Sequence, residues 1–124
     1  MNDRFRFRAW DITENKMYDF DELNRLDRDG VVCIMDLLME KDLSIALMQS
    51  TGLRDKNGVL IYEGDVIRGN LFDRHLPTKG EVVYDTENTC FANKNLAGLT
   101  FLFKINKIEV IGNIYDNPDP IGGE

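Results

Sequence analysis

The sequence predicts a β-dominated fold, with an N-terminal β-hairpin unit packed on a small, strongly bent C-terminal barrel. Three observations carry that expectation. Arg4–Trp10 (R-F-R-F-R-A-W) alternates strictly, with Phe5, Phe7 and Ala9 on one strand face and Arg4, Arg6, Arg8 and Trp10 on the other. Residues 51–115 fall into short apolar runs with glycine at the corners. Ile108–Tyr115 carries bulky apolar groups on both faces, as a strand buried on both sides or closing a barrel does.

Taken in order, Arg4–Trp10 is the first strand. Asp11–Lys16 is a turn, and Met17–Phe20 returns as the second arm of a hairpin. Asp21 is placed to cap a short helical turn carrying Leu23 and Leu26, and Asp27-Arg28-Asp29-Gly30 reads as a turn with Gly30 at φ > 0. Val31–Met35 is a strand by β-branched content, Asp36–Asp42 a helical turn or a loop, and Leu43–Gln49 a further strand.

Gly52 is expected to break that strand, and Asp55-Lys56-Asn57-Gly58 is a reverse turn. Val59–Tyr62 is short and apolar, Glu63-Gly64-Asp65 is a tight turn, and Val66-Ile67-Arg68 starts a strand. A loop over Gly69–Lys79 holds His75 and Pro77. Gly80–Asp85, Thr89–Ala92 and Leu99–Ile105 are strands, Ile108–Tyr115 is the last, and the chain from Asp116 to Pro120 ends regular structure. Four or five short strands at this spacing suit a barrel of SH3-like size. Residues 1–50 then form an N-terminal β-rich unit and 51–124 the SH3-like barrel. The stretch between them, near Gln49–Leu53, has no linker composition, so the two parts are expected to pack as one unit.

Composition narrows the function classes. The 124 residues carry a net charge of -7. Residues 1–50 hold seven basic and eleven acidic side chains, and residues 51–124 eight and eleven, so the acidity is spread evenly. Phosphate-backbone binding runs on lysine and arginine, so general nucleic-acid binding is disfavoured. Met1 to Arg8 carries three arginines with no apolar stretch after them, and no run approaches membrane-spanning length. A cytoplasmic protein is expected, with Cys33 and Cys90 as reduced thiols. Two separated cysteines and one histidine, His75, cannot assemble a four-ligand zinc site in one protomer. No cofactor or metal is expected.

Three segments are similar to the YopX family of phage and prophage proteins. They are R-F-R-A-W-D (Arg6–Asp11), L-M-Q-S-T-G-L-R-D-K-N-G-V-L-I-Y-E-G-D-V-I (Leu47–Ile67) and E-V-I-G-N-I-Y-D-N-P (Glu109–Pro118). The family-like positions are Trp10, Gly52, Asp55, Gly58, Tyr62, Glu63, Gly64, Asp65, Gly112, Asn113 and Tyr115. The resemblance implies a mostly β protein with an SH3-like barrel, a phage or prophage origin and a bacterial cytoplasm. It implies no activity, since the family has no assigned one. Asp21–Ser44, Leu71–Lys79 and Thr86–Leu96 match nothing in the family pattern, so a protein-specific function would lie there.

The residues open to a chemical reading each have a plainer role. An EF-hand frame with Gly30 or Gly58 at its sixth position puts Arg25 or Leu53 at the first, so neither Asp-Gly turn supplies a first calcium ligand. Glu63 and Asp65 form a carboxylate pair about Gly64, and bonding to turn amides accounts for both. Cys90 beside Phe91 reads as a small core hydrophobe rather than a nucleophile served by His75. Arg4, Arg6, Arg8 and Trp10 form the candidate interaction face. Three function classes follow. The first is a non-catalytic protein-interaction module, a phage accessory protein acting on a host or phage protein or on itself. The second is a nucleic-acid-associated protein using the Arg4–Trp10 face. The third is a metal-dependent hydrolase, resting only on scattered carboxylates.

Overall fold

The computed structural model describes residues 3–41, 43–72 and 75–116. A 3-10 turn at Asp3–Phe5 leads into β1 (Phe7–Asp11) and β2 (Lys16–Tyr18). The helices α1 (Phe20–Arg28) and α2 (Ile34–Leu38) follow, then β3 (Ile45–Arg54) and β4 (Leu60–Tyr62). The rest is β5 (Asp65–Leu71), β6 (Pro77–Asp85), β7 (Cys90–Asn95), β8 (Gly98–Phe101), a 3-10 turn at Leu102–Lys104, and β9 (Ile105–Asn113). The expected end of regular structure over Asn117–Pro120 lies outside the described residues.

Strands dominate, in two antiparallel sheets. One has the order β2-β1-β3-β4; the other, β8-β7-β6-β5-β9, curves into a half-barrel. The N-terminal hairpin is present, with Trp10 opposite Met17. The first sheet and the helices enclose Ala9, Leu23 and Leu37; the half-barrel encloses Ile61, Ile67, Val82, Leu102 and Ile105. At ~25 cal/mol per Å2 of apolar surface removed from water, burying side chains of this size supplies about 1.5–3 kcal/mol each.

Several local expectations are corrected. Arg4–Trp10 is not strand throughout, because Arg6 donates back to the Asp3 carbonyl at 3.4 Å and pairing with β3 starts only at Phe7, opposite Gln49. Asp19, not Asp21, caps α1: its carboxylate accepts the Glu22 amide at 2.8 Å, and the Glu22 carboxylate reaches back to the Asp19 amide. Asp27 and Arg28 belong to the last turn of that helix, and Gly30 (φ 74) lets the chain leave it.

Val31–Met35 is not a strand. The Asp27 carboxylate accepts the Ile34 amide, and Leu37 donates to the Cys33 carbonyl, so the segment winds into α2 and buries Leu37. Gly52 does not break β3. At φ 80 it allows a register shift against β4, and a Cβ there would meet the Arg4 side chain at 2.6 Å. The Gly69–Lys79 loop shrinks, since Arg68, Gly69 and Asn70 pair with Lys79, Thr78 and Pro77. Pro77 opens β6, where its missing N–H costs no ladder bond. The strand expected over Leu99–Ile105 stops at Phe101, where the 3-10 turn begins. Because β3 spans residues 45–54, one strand runs through the stretch between the two halves of the chain.

Candidate interaction surfaces and the junction between the sheets

The arginine stripe is dispersed. Arg4 is exposed, with its guanidinium 5.1 Å from the Phe5 ring centroid. Arg6 lies 3.8 Å from Asp3 and 5.6 Å from the Phe20 ring. Arg8 turns toward the half-barrel, where Nη2 donates to Asp65 Oδ1 at 2.7 Å and to the Glu63 carbonyl at 3.3 Å. Its guanidinium also covers the Tyr62 ring at 4.7 Å. Trp10 is buried and stacks on Tyr115, ring centroids 5.5 Å apart. Two of the four residues of the candidate face therefore join the sheets instead of meeting solvent.

The carboxylates do the same kind of work. Asp65 Oδ2 accepts the Tyr62 amide at 2.8 Å, and Glu63 Oε1 accepts the Gln49 amide at 2.8 Å. Burial pushes the Asp65 carboxyl above its ordinary value, with Arg8 pulling the other way. Gly64 (φ 85) makes the turn between them and packs on Met48, whose sulfur would lie 2.9 Å from a Cβ at that position.

Asp55 is buried at the Asp55–Gly58 turn, where Gly58 (φ 84) completes the reversal. Its Oδ1 accepts the Asn57 and Val59 amides at 2.8 and 2.9 Å, and its Oδ2 accepts the Val110 amide of β9 at 2.9 Å. Burial acts to raise this carboxyl, but the three amides outweigh it and hold it below the ordinary range. Asn113 Oδ1 accepts the Tyr115 and Asp116 amides, and Gly112 lies opposite Val66 on β5. These positions build turns and strand junctions. Cys90 is half-buried at the start of β7, Cys33 is exposed, and His75 is exposed between β5 and β6. Among the described residues, no three His, Cys, Asp or Glu side chains come together as metal ligands would. None of the described helices is long and apolar enough to cross a membrane.

The surface that sequence reasoning missed surrounds α2. Val31, Met35, Leu38, Met39 and Leu43 are all exposed, Leu43 at 81%, within one short stretch. Asp27 and the buried Leu37 fix the helix by its inner side, which leaves these side chains outward. A groove of about 390 Å3, lined by Leu37, Leu38, Glu40 and Leu43 of this segment and Ile45, Ala46 and Leu47 of β3, runs beside it. The run of apolar residues was legible in the sequence, but as a strand it would have faced a core.

The chain matches the YopX protein family model over residues 6–121. No curated protein matches. Among solved structures it is similar to protein EF1440 from Enterococcus faecalis, at 24% identity and TM-score 0.55, over 94% of this chain and 96% of that one. It is also similar to protein yopX from Bacillus subtilis, at 18% identity and TM-score 0.54, over 96% and 98%. At these identities the likeness is one of fold. The family match, which spans all three sheet-joining contacts of Arg8, Trp10 and Asp55, shows that the chain belongs to the YopX protein family.

Proposed function

We propose that this protein is a non-catalytic interaction module, encoded by a phage or prophage and acting in the bacterial cytoplasm, that docks a host or phage protein or a second copy of itself through the α2 segment. The observation that carries the reading is the exposed set Val31, Met35, Leu38, Met39 and Leu43. Apolar side chains gathered on a surface tend to mark contact sites, since covering them removes apolar area from water. Flexible methionines suit a surface that adapts to its partner. The carboxylate pair that a hydrolase reading starts from, Glu63 and Asp65, is engaged by backbone amides and by Arg8.

The test is affinity capture and cross-linking from the bacterial host, with sedimentation of the purified protein alongside. Met35→Glu with Met39→Glu is expected to abolish the cross-links, or the self-association, without moving the melting temperature. A partner or dimer that survives the double substitution unchanged overturns the reading, as does a protein that remains monomeric and captures nothing.

A further inference from the structure

The face of the half-barrel sheet that looks away from its core carries a cationic hollow. Ile67 is buried in the core, so its neighbour Arg68 points to the opposite face, where its side chain is 61% exposed. Arg68 stands opposite Lys79 of β6 on one side and opposite Glu109 of β9 on the other. Directly paired residues share a face, so Lys79, Arg68 and Glu109 form one row across three strands.

The backbone brings two further cations to this row. Val110 donates to Asp55, and the Lys56 amide donates to the Ile108 carbonyl at 2.8 Å. These bonds pin the Asp55–Gly58 turn along β9 and set the Lys56 ammonium 3.8 Å from Glu109. Between Asn106 and Glu109, β9 holds two residues where β5 holds only Gly69. That bulge lets Ile108 pack on the core, while Lys107, at φ 54, takes a left-handed conformation that side chains seldom adopt.

Lys56, Arg68, Lys79, Lys107 and Glu109 line one hollow of about 520 Å3. Its described lining sets four cations against one carboxylate, on a chain of net charge -7. The Arg68–Lys79 pairing places like charges opposite each other, which costs a sheet stability. Glu109 already sits here as an incoming carboxylate would. Its Oε1 accepts from Arg68 Nε at 2.9 Å and Nη2 at 2.8 Å, so one carboxylate answers both Arg68 and Lys56.

We infer that this hollow docks an acidic segment of a partner protein, whose carboxylates meet Lys79 and Lys107 and compete with Glu109 for Arg68 and Lys56. A cationic patch on an otherwise acidic molecule selects its partner by charge complementarity. Nucleic acid fits less well. The described lining holds no aromatic ring for a base to stack on, and a net charge of -7 repels an extended polyanion. The hollow shares no residue with the α2 surface, so either site can fail without the other.

The experiment titrates the 15N-labelled full chain with a peptide of six Glu-Gly repeats, using six Lys-Gly repeats and a short duplex DNA as comparators. The acidic peptide is expected to give saturable amide shifts at Arg68, Gly69, Asn70, Lys79 and Lys107, weakening as salt rises, while the basic peptide gives none. Lys79→Glu with Lys107→Glu should weaken binding by roughly tenfold or more. The milder Lys79→Ala with Lys107→Ala should weaken it less, and thermal melts on both confirm the fold. Glu109→Gln, which removes the resident carboxylate and keeps its shape, should tighten binding by roughly two- to fivefold, a gain that a merely disturbed surface does not give. The inference is overturned if the acidic peptide leaves these amides unmoved, if the charge-reversed protein binds it equally, or if Glu109→Gln fails to tighten it. It is equally overturned if the DNA shifts the same amides at lower concentration, or if they shift with protein concentration alone. The first would make the hollow a nucleic-acid site, the second a contact between copies of this chain.

Discussion

The Arg8 guanidinium of β1 lies 2.7 Å from the Asp65 carboxylate of β5, with side chains only 14% and 3% exposed, so a buried ion pair ties the first sheet to the half-barrel. Asp65 keeps one further acceptor bond, from the Tyr62 amide, that does not depend on Arg8.

Replacing Arg8 by Met should therefore cost about 3–5 kcal/mol, because it strands a buried carboxylate without its cation. Adding Asp65→Asn, which keeps an acceptor for Tyr62 and removes the charge, should recover more than half of the loss. Burial already raises the Asp65 carboxyl in the folded protein. A carboxyl raised on folding favours the folded state when protonated, and that contribution is lost as pH rises through its folded pKa. The Arg8→Met deficit should accordingly shrink on acidification, as read from urea melts across the acid range.

Asp55 should titrate in the opposite sense. Its carboxyl is held below its ordinary value of 3.8 in the folded state, so the unfolded chain binds the proton more readily. The stability it supplies is present above the unfolded pKa and is lost as pH falls through the folded one. Asp55→Ala should cost about 2–3 kcal/mol at pH 7 by orphaning the amides of Asn57, Val59 and Val110, and less in strong acid. Denaturant melts at neutral pH and near pH 3 compare the two.

Gly58 and Gly64 have nearly equal φ, 84° and 85°, but different surroundings. A Cβ at Gly58 meets nothing within 4 Å, whereas at Gly64 it would lie 2.9 Å from the Met48 sulfur. Gly58→Ala should cost about 1–2 kcal/mol for the left-handed backbone alone. Gly64→Ala should cost more, and the excess should fall when Met48→Ala is added. Thermal melts of the four variants measure it.

Stopping the chain after Lys107 should yield an unfolded or aggregating product. It removes Ile108 and Val110, which pack on the barrel core, and the β9 partners of Asp65, Val66, Ile67 and Arg68. It also removes Tyr115 from the face of Trp10, so tryptophan emission should shift to the red. A cooperative melt near the full-length temperature would refute the assignment of β9 as a structural strand.

What the sequence determined by itself was largely local. The Asp55–Gly58 reversal, the tight turn at Gly64 and the β1–β2 hairpin were legible because each depends on one residue's φ or on a carboxylate reaching amides two to four positions away. The last strand was legible because its apolar groups lie on both faces. Tertiary structure decided the rest. Val31–Met35 has strand composition, yet the Asp27 carboxylate, seven positions before Ile34, and the burial of Leu37 wind the segment into α2 and turn Met35 outward. Arg4–Trp10 alternates as a strand should, but alternation does not say what each face meets. Arg8 meets Asp65 on β5, and Trp10 meets Tyr115 just beyond β9, across tertiary contacts that no local pattern specifies. That Lys56 reaches Glu109 was likewise unreadable, since it depends on where the Asp55 turn lands against β9, fifty-five residues along the chain. Local signals are set by the steric preferences of a few bonds, whereas partners this distant are chosen by which surfaces bury together once the chain has closed on itself.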